Sequence, residues 1–108
     1  MMKNSRGMVK DMKPKKVLKI LKKGNKRFVK NLSLNRDLLK VAKSTSESQS
    51  PIAVVLSCLD SRSSAEVIFD QGIGDVFSAR VAGNIVNDDI LGSMEFACFL
   101  STAKVILV

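Results

Sequence analysis

The stretch that most constrains the fold is an apolar run, Ile52–Ser57. It does not alternate between apolar and polar residues, which is typical of a central parallel strand covered by helices on both faces. The run leads into CLDSR at 58–62, which places a thiol, a carboxylate, a hydroxyl and a guanidinium within five residues. Ligands of open α/β sheets bind just beyond the carboxyl ends of the strands. We therefore expect the functional site in this loop.

Two further segments continue the pattern. Asp75–Ala79 and Val105–Val108 each read as a short strand, and a helical pattern precedes each of them. Strand, helix, strand, helix, strand with short connections predicts one parallel sheet with right-handed crossovers. We expect the Ile52 strand in its middle. The predicted fold class is α/β, a parallel β-sheet with flanking helices and an N-terminal amphipathic helical arm.

Capping residues mark both crossover helices. Ser63 or Ser64 is available as the N-cap of the first helix, and Asp88 or Asp89 as the N-cap of a second helix from Ile90 to about Ser101. In the turn after the second strand, Gly83 allows a positive φ or a close backbone approach. We expect one packed apolar face on the second helix, formed by Ile90, Leu91, Met94, Ala97 and Cys98.

The N-terminal half predicts a basic helical arm. Residues 1–13 read as irregular, and Pro14 suits a first helical turn. Apolar residues then recur at helical spacing over about four turns, and Gly24 interrupts them where a kink or a close contact is expected. We expect the apolar residues Val17, Leu21 and Phe28 to be poorly covered within one chain, because a projecting helix needs a partner. A second short helix at Leu34–Val41 and a Ser-rich connector at Ser44–Ser50 complete an arm over residues 1–50, followed by a core over 51–108.

Charge divides the chain in the same way. Residues 1–50 hold 15 Lys and Arg against 3 acids, and residues 51–108 hold 3 against 7, so the halves carry +12 and −4. Such an arm suits a nucleic acid or an acidic partner surface, or it is simply a solvated helix face. Phe28 is its only aromatic residue, so no stacking platform for bases is present. We favour the solvated face and expect neither a nucleic acid nor a membrane as partner.

The residues themselves leave the chemistry of the loop open. Cys58 suits either a small buried thiol or a zinc ligand, and Asp60 and Arg62 are close enough for an ion pair. Arg80 is an equally good partner for such a pair, and Cys98 reads as a packed residue. The chain contains two cysteines, no histidine and no apolar stretch of the ~20 residues that a membrane helix needs. A reducing cytoplasm is the expected compartment.

Several segments together resemble the β-class carbonic anhydrases of bacterial type. They are GNKRFVKN at 24–31, CLDSR at 58–62, AEVIFDQGIGDVF at 65–77, RVAGNIV at 80–86 and LGSMEFA at 91–97. The resemblance covers about residues 15–108. It implies a zinc-dependent lyase, carbonate dehydratase, that reversibly hydrates carbon dioxide to bicarbonate, and a homodimer or higher homo-oligomer in which the basic helix packs across a partner subunit.

The resemblance also implies roles for individual residues. Cys58 would be a zinc ligand, and Asp60 and Arg62 would be the catalytic dyad, with Asp60 either on the metal or drawn off it by Arg62. Zinc would lower the pKa of its bound water to ~7. Three further residues, Ser61, Ala82 and Gly83, would line the pocket.

One element of the family pattern does not occur in this sequence. The family's other zinc ligands, a histidine and a cysteine in a GHxxCG element, follow the third strand, and this sequence ends at Val108. We therefore expect a β-carbonic anhydrase-like fold that is truncated, with an incomplete zinc site and no activity alone. A non-catalytic remnant that only oligomerises is the alternative. A basic nucleic-acid-binding module is a remote one.

Overall fold

A parallel sheet flanked by helices forms the body of the protein. The computed structural model describes residues 6–37, 39–40, 42, 49–60, 62 and 64–108. In chain order the elements are α1 (Arg6–Lys10), α2 (Pro14–Val29), β1 (Ala53–Ser57), α3 (Ala65–Ile68), β2 (Val76–Arg80), a 3₁₀ turn (Ala82–Asn84), α4 (Asp88–Glu95), a π-helical turn (Phe96–Leu100) and β3 (Val105–Leu107).

The strand order is β2-β1-β3, and both pairings are parallel. Ala53 of β1 lies opposite Val76 on one side and Val105 on the other. The predicted α/β class, the parallel arrangement and the central position of the first strand are all confirmed. Four of the six strand ends differ from the predicted ones, each by one residue.

Apolar side chains cover both faces of β1. One core cluster contains Ile52 and Ala53 with side chains from α1, α2 and β2, and the other contains Val54 and Leu56 with Met94 of α4. Because helices cover both faces, the strand needs no polar positions, which explains its unbroken apolar run.

The prediction of an uncovered arm is wrong for two of its three residues. Val17 is 0% exposed and Leu21 is 2% exposed, since α2 packs its apolar stripe on the chain's own sheet; Phe28 alone is 40% exposed. Burying two such side chains contributes about 1.5–3 kcal/mol each. The segment before α2 is also ordered into the core, because α1 buries Val9 and the turn after it buries Met12.

A contact at Gly24 holds α2 against the body. The helix runs through Gly24 without a break, and a Cβ built there would lie 1.7 Å from the Phe69 carbonyl oxygen. Next to it, Asn25 Nδ2 donates to the Ile68 carbonyl oxygen at 3.0 Å. Of the kink and the close contact that Gly24 predicted, the structure has the close contact.

A buried carboxylate ties α2 and the segment after it to the loop after α3. Asp70 is 4% exposed and accepts hydrogen bonds from Arg27 Nε at 2.5 Å, Arg36 Nη1 at 2.8 Å and the Leu34 N–H at 3.1 Å. Burial by itself raises the pKa of Asp70, but the bonds from Arg27, Arg36 and Leu34 outweigh it and lower the pKa to about 2. The sequence analysis did not identify this cluster.

The predicted cap of the second crossover helix is wrong, and the predicted serine cap of the first is right in position only. The side chain of Asn87 caps α4, with its Oδ1 accepting from the Ile90 N–H at 2.9 Å, so Asp88 and Asp89 lie in the first turn instead. Ser64 occupies the N-cap position of α3 without a side-chain cap bond, because its Oγ donates to Glu66 Oε2 at 3.0 Å.

The predicted apolar face of the second crossover helix is packed only in part. Met94 and Ala97 are buried and Ile90 is half-buried, whereas Leu91 is exposed. Cys98 lies in the π-helical turn and is exposed, so the prediction that it packs is wrong for this chain.

Two predictions for the arm fall at least partly outside the described residues. They are the second short helix at Leu34–Val41 and the connector at Ser44–Ser50. Within the described ranges, no helix combines the length and the apolar character that crossing a bilayer requires.

We expect Gly24→Ala to lower the free energy of unfolding by about 1–3 kcal/mol, because the added methyl group meets backbone that cannot move aside. Gly92→Ala in α4 is the matched control. Nothing lies within 4 Å of a Cβ built at Gly92. The higher helix propensity of alanine should therefore stabilise this variant by up to about 1 kcal/mol. Urea denaturation measures both variants, and stabilisation by Gly24→Ala would contradict the contact.

Asp70→Asn should lower the free energy of unfolding at pH 7 by about 2 kcal/mol. The lowered pKa means that the ionised carboxylate contributes fully above about pH 4 and that the contribution is lost as pH falls through about 2. Asn keeps the left-handed backbone of this position (φ 47°). Denaturation measured from pH 7 to pH 2 should show the difference between wild type and variant closing in that window. Asp89→Asn, which removes a carboxylate from an exposed residue, is the matched control.

Candidate functional site

The parallel register brings two loops together at the carboxyl edge of the sheet. Ser57 at the end of β1 lies opposite Arg80 at the end of β2, so Cys58 and the residues after Arg80 are neighbours. The Gly83 N–H donates to Cys58 Sγ at 3.4 Å. Gly83 has φ 72°, in the left-handed region that glycine adopts without strain. The positive φ predicted for Gly83 is confirmed.

The backbone around Cys58 favours its thiolate. Hydrogen bonds from the Asp60 and Gly83 N–H groups, and a weaker one from Leu59, lower the pKa of the Cys58 thiol, although burial and the Asp60 charge oppose them. A thiolate is the form that binds metals and attacks electrophiles.

Asp60 and Arg62 form the ion pair that their spacing predicted. Arg62 Nη2 donates to Asp60 Oδ2 at 2.6 Å, its Nε lies 3.1 Å from both carboxylate oxygens, and its own N–H donates to Oδ1 at 2.9 Å. These bonds lower the pKa of Asp60 and raise the pKa of Arg62. Because the side chain of Arg62 is 86% exposed, we assign the pair an orienting role rather than a stabilising one.

Arg80 supports this loop from the neighbouring strand. Its Nε donates to the Cys58 carbonyl oxygen at 3.1 Å, and its Nη2 donates to the Asp60 carbonyl oxygen. The sequence pattern indicated Arg80 only as a partner for a carboxylate. The main-chain contacts depend on the strand register, which the sequence does not show.

A polar bridge between the end of the loop and β2 has no signal in the sequence. Glu66 of α3 accepts from Ser64 Oγ and from Ser78 Oγ, each at 3.0 Å, and so connects the end of the loop to β2. Two serines and a glutamate at unrelated spacings carry no recognisable pattern in sequence.

The other residues predicted for the site are Ser61 and Ala82. Ala82 is exposed in the 3₁₀ turn, and Ser61 lies outside the described residues. The pocket-lining roles of Ser61, Ala82 and Gly83 stay predictions.

A catalytic zinc does not fit the residues present. Such a site needs three protein ligands and one open position. No group of three or more histidine, cysteine, aspartate or glutamate side chains suited to a metal occurs in the described part of the chain, and the sequence has no histidine. The loop offers Cys58 and Asp60 as metal ligands, and the Asp60 carboxylate already accepts a hydrogen bond from Arg62.

Comparison with known proteins agrees with the resemblance that the sequence motifs carry. A family model described as carbonic anhydrase matches residues 53–108. The chain is 42% identical over 91 residues to a carbonic anhydrase of Mycolicibacterium smegmatis and 40% identical over 91 residues to carbonic anhydrase 2 of Mycobacterium tuberculosis. Each match covers 83% of this chain and 44% of the relative, so the chain spans less than half the length of these curated relatives.

We expect iodoacetamide to alkylate Cys58 several-fold faster than Cys98 at pH 7. Cys98 is the more exposed residue as a whole, but partial desolvation of its thiol raises the pKa of that thiol. The N–H groups around Cys58 lower the pKa of the Cys58 thiol instead. Peptide mapping by mass spectrometry after short exposures measures both rates in one sample. Faster labelling of Cys98 would show that access, not thiolate content, decides the reactivity.

Proposed function

Because the chain belongs to the β-class carbonic anhydrase family, we propose that it serves the lyase reaction of that family, the reversible hydration of carbon dioxide to bicarbonate. The observation that carries the proposal is the loop after β1. There the Cys58 thiol, the Asp60–Arg62 pair and the Gly83 N–H lie together at the edge of the sheet where α/β proteins bind ligands.

The proposed roles follow the contacts of each side chain. Cys58 is a metal ligand, since its thiol has a lowered pKa and lies at the end of a rigid strand. Asp60 and Arg62 are the catalytic dyad. The two-point grip of Arg62 holds the Asp60 carboxylate in one orientation, which decides whether it is available as a second metal ligand. Ser61, Ala82 and Gly83 line the pocket.

Zinc is the proposed cofactor, and the described residues do not hold it by themselves. Cys58 and Asp60 provide two donors, fewer than a catalytic zinc requires. We propose that this chain is a truncated N-terminal portion of a family member, inactive alone, and that an element of the GHxxCG kind supplies the other ligands. A non-catalytic remnant that only associates with other subunits is the alternative function.

The proposal extends to partners and compartment. Carbon dioxide and bicarbonate are the proposed substrates. A homodimer or higher homo-oligomer stays a prediction, and the arm no longer supports it, because Val17 and Leu21 are buried on the chain's own sheet. The two cysteines, both free, fit the proposed cytoplasmic location.

The decisive test compares this chain alone with a chimera in which the C-terminal part of the Mycolicibacterium smegmatis relative continues from residue 108 and is expected to bring an element of the GHxxCG kind. We expect the chain alone to hold less than stoichiometric zinc and to show no hydration of carbon dioxide above the uncatalysed rate. The chimera should be active, because it completes a three-ligand site. Metal analysis and stopped-flow hydration assays measure both properties.

Variants of the chimera test the individual roles. Cys58→Ser should abolish zinc binding, and Arg62→Gln should lower kcat/KM by about 10- to 100-fold with zinc retained. Lys104→Gln, immediately before β3 and away from the loop, is the control. Activity of the chain alone would contradict the proposed inactivity. A folded, zinc-loaded chimera without activity would favour the non-catalytic remnant.

A further inference from the structure

One side of α2 consists entirely of lysine. At 3.6 residues per turn, seven lysines fall within an arc of about 120° that contains no other residue type and extends about 22 Å along the axis. All seven are exposed. This lysine face consists of Lys15, Lys16, Lys19, Lys22, Lys23 and Lys26 of α2, and of Lys30, the C-cap residue that follows the helix.

Nothing in the described part of the chain neutralises the lysine face. No aspartate or glutamate occurs between residues 12 and 36, and the ion pairs found among the described residues include none of its lysines. The two arginines of the same stretch, Arg27 and Arg36, bind Asp70 instead. The face therefore keeps seven uncompensated positive charges in one row, which repel one another unless an anion is present.

We propose that the lysine face binds the phosphate backbone of double-stranded nucleic acid without regard to sequence. The sequence alone favoured a solvated helix face. The structure changes that balance because it gathers the lysines on one arc and occupies the opposite, apolar side of the helix with the sheet. The inference is independent of the carbonic anhydrase chemistry.

The composition of the face selects a duplex backbone. Lysine binds phosphate as a point charge, whereas reading bases in a groove uses arginine, asparagine or glutamine, and the arc carries none of these. Binding single strands relies on aromatic side chains that stack on bases, and the arc carries no aromatic residue. Phosphate contacts without base contacts are the chemistry of non-specific duplex binding.

A membrane surface fits the same helix less well. Helices that lie in a bilayer interface bury an apolar face among the lipids. Two residues of the apolar face of α2, Val17 and Leu21, are already in the core, which leaves Leu18, Phe28 and Val29 as its exposed apolar residues. The core, residues 51–108, carries a net charge of −4. A polyanion is therefore attracted to the arm and repelled by the core.

The test measures binding of the full chain to a labelled 20-base-pair duplex by fluorescence anisotropy at salt concentrations from 50 to 200 mM. If all seven lysines contact phosphates, log K should fall with log salt with a slope of about −6, which is a loss of about 10³-fold or more over this range. A duplex of scrambled sequence should bind equally well.

Matched triple variants locate the binding surface. Lys19→Gln, Lys22→Gln and Lys26→Gln together should reduce the magnitude of the slope by about 3. The control triple, Lys10→Gln, Lys40→Gln and Lys104→Gln, removes the same charge outside the face and should change the slope by less than about 1. Circular dichroism checks that both variants keep the fold.

Three results would overturn the proposal. They are no salt-dependent retention of the duplex, equal losses from the two triple variants, and tighter binding to phosphatidylglycerol vesicles or to polyglutamate than to the duplex at equal salt. The last would assign the face to a lipid surface or to an acidic protein.

Discussion

The structure depends on the burial of β1 on both faces and along both edges. Its backbone pairs with β2 and β3, one of its faces packs under α1 and α2, and the other packs under α4. A strand enclosed in this way has no freedom to slip, because a shift of one residue would exchange its two faces. Its carboxyl end is therefore a fixed point, and the loop that begins at Cys58 starts from a rigid support.

Hydrogen bonds from neighbouring elements then shape that loop. Arg80 holds the carbonyl groups of Cys58 and Asp60, the Gly83 N–H approaches the sulfur, and Arg62 holds the Asp60 carboxylate. Each bond orients a group that the chemistry would use, and the pair is too exposed to add much stability. The arrangement presents a thiol of lowered pKa and an oriented carboxylate, and the described residues include no group of three or more side chains suited to holding a metal such as zinc.

The arm is divided between two tasks by the periodicity of α2. One side of the helix adds to the core and is fastened by the Gly24 contact and by the Arg27 and Arg36 bonds to Asp70. The other side holds only lysines and contributes nothing to packing. The same helix thus supplies stability on one side and a strong positive field on the other.

The sequence by itself determined the α/β class, the three parallel strands with the first in the middle, the amphipathic character of α2, the Asp60–Arg62 pair and the family. Each of these follows from local information, namely an unbroken apolar run, a helical period, a two-residue spacing or a set of motifs. Only the tertiary structure decided where α2 packs, which cysteine is exposed, and that Asp70, Arg80 and Glu66 organise the helix and the loop. Those outcomes rest on contacts between residues distant along the chain, such as Arg80 with Cys58, 22 positions apart, and Arg27 with Asp70, 43 positions apart, where spacing carries no signal. The direction in which the apolar side of α2 faces was equally undetermined, because the same stripe packs on its own sheet or on a partner's, and only the shape of the folded chain selects between them.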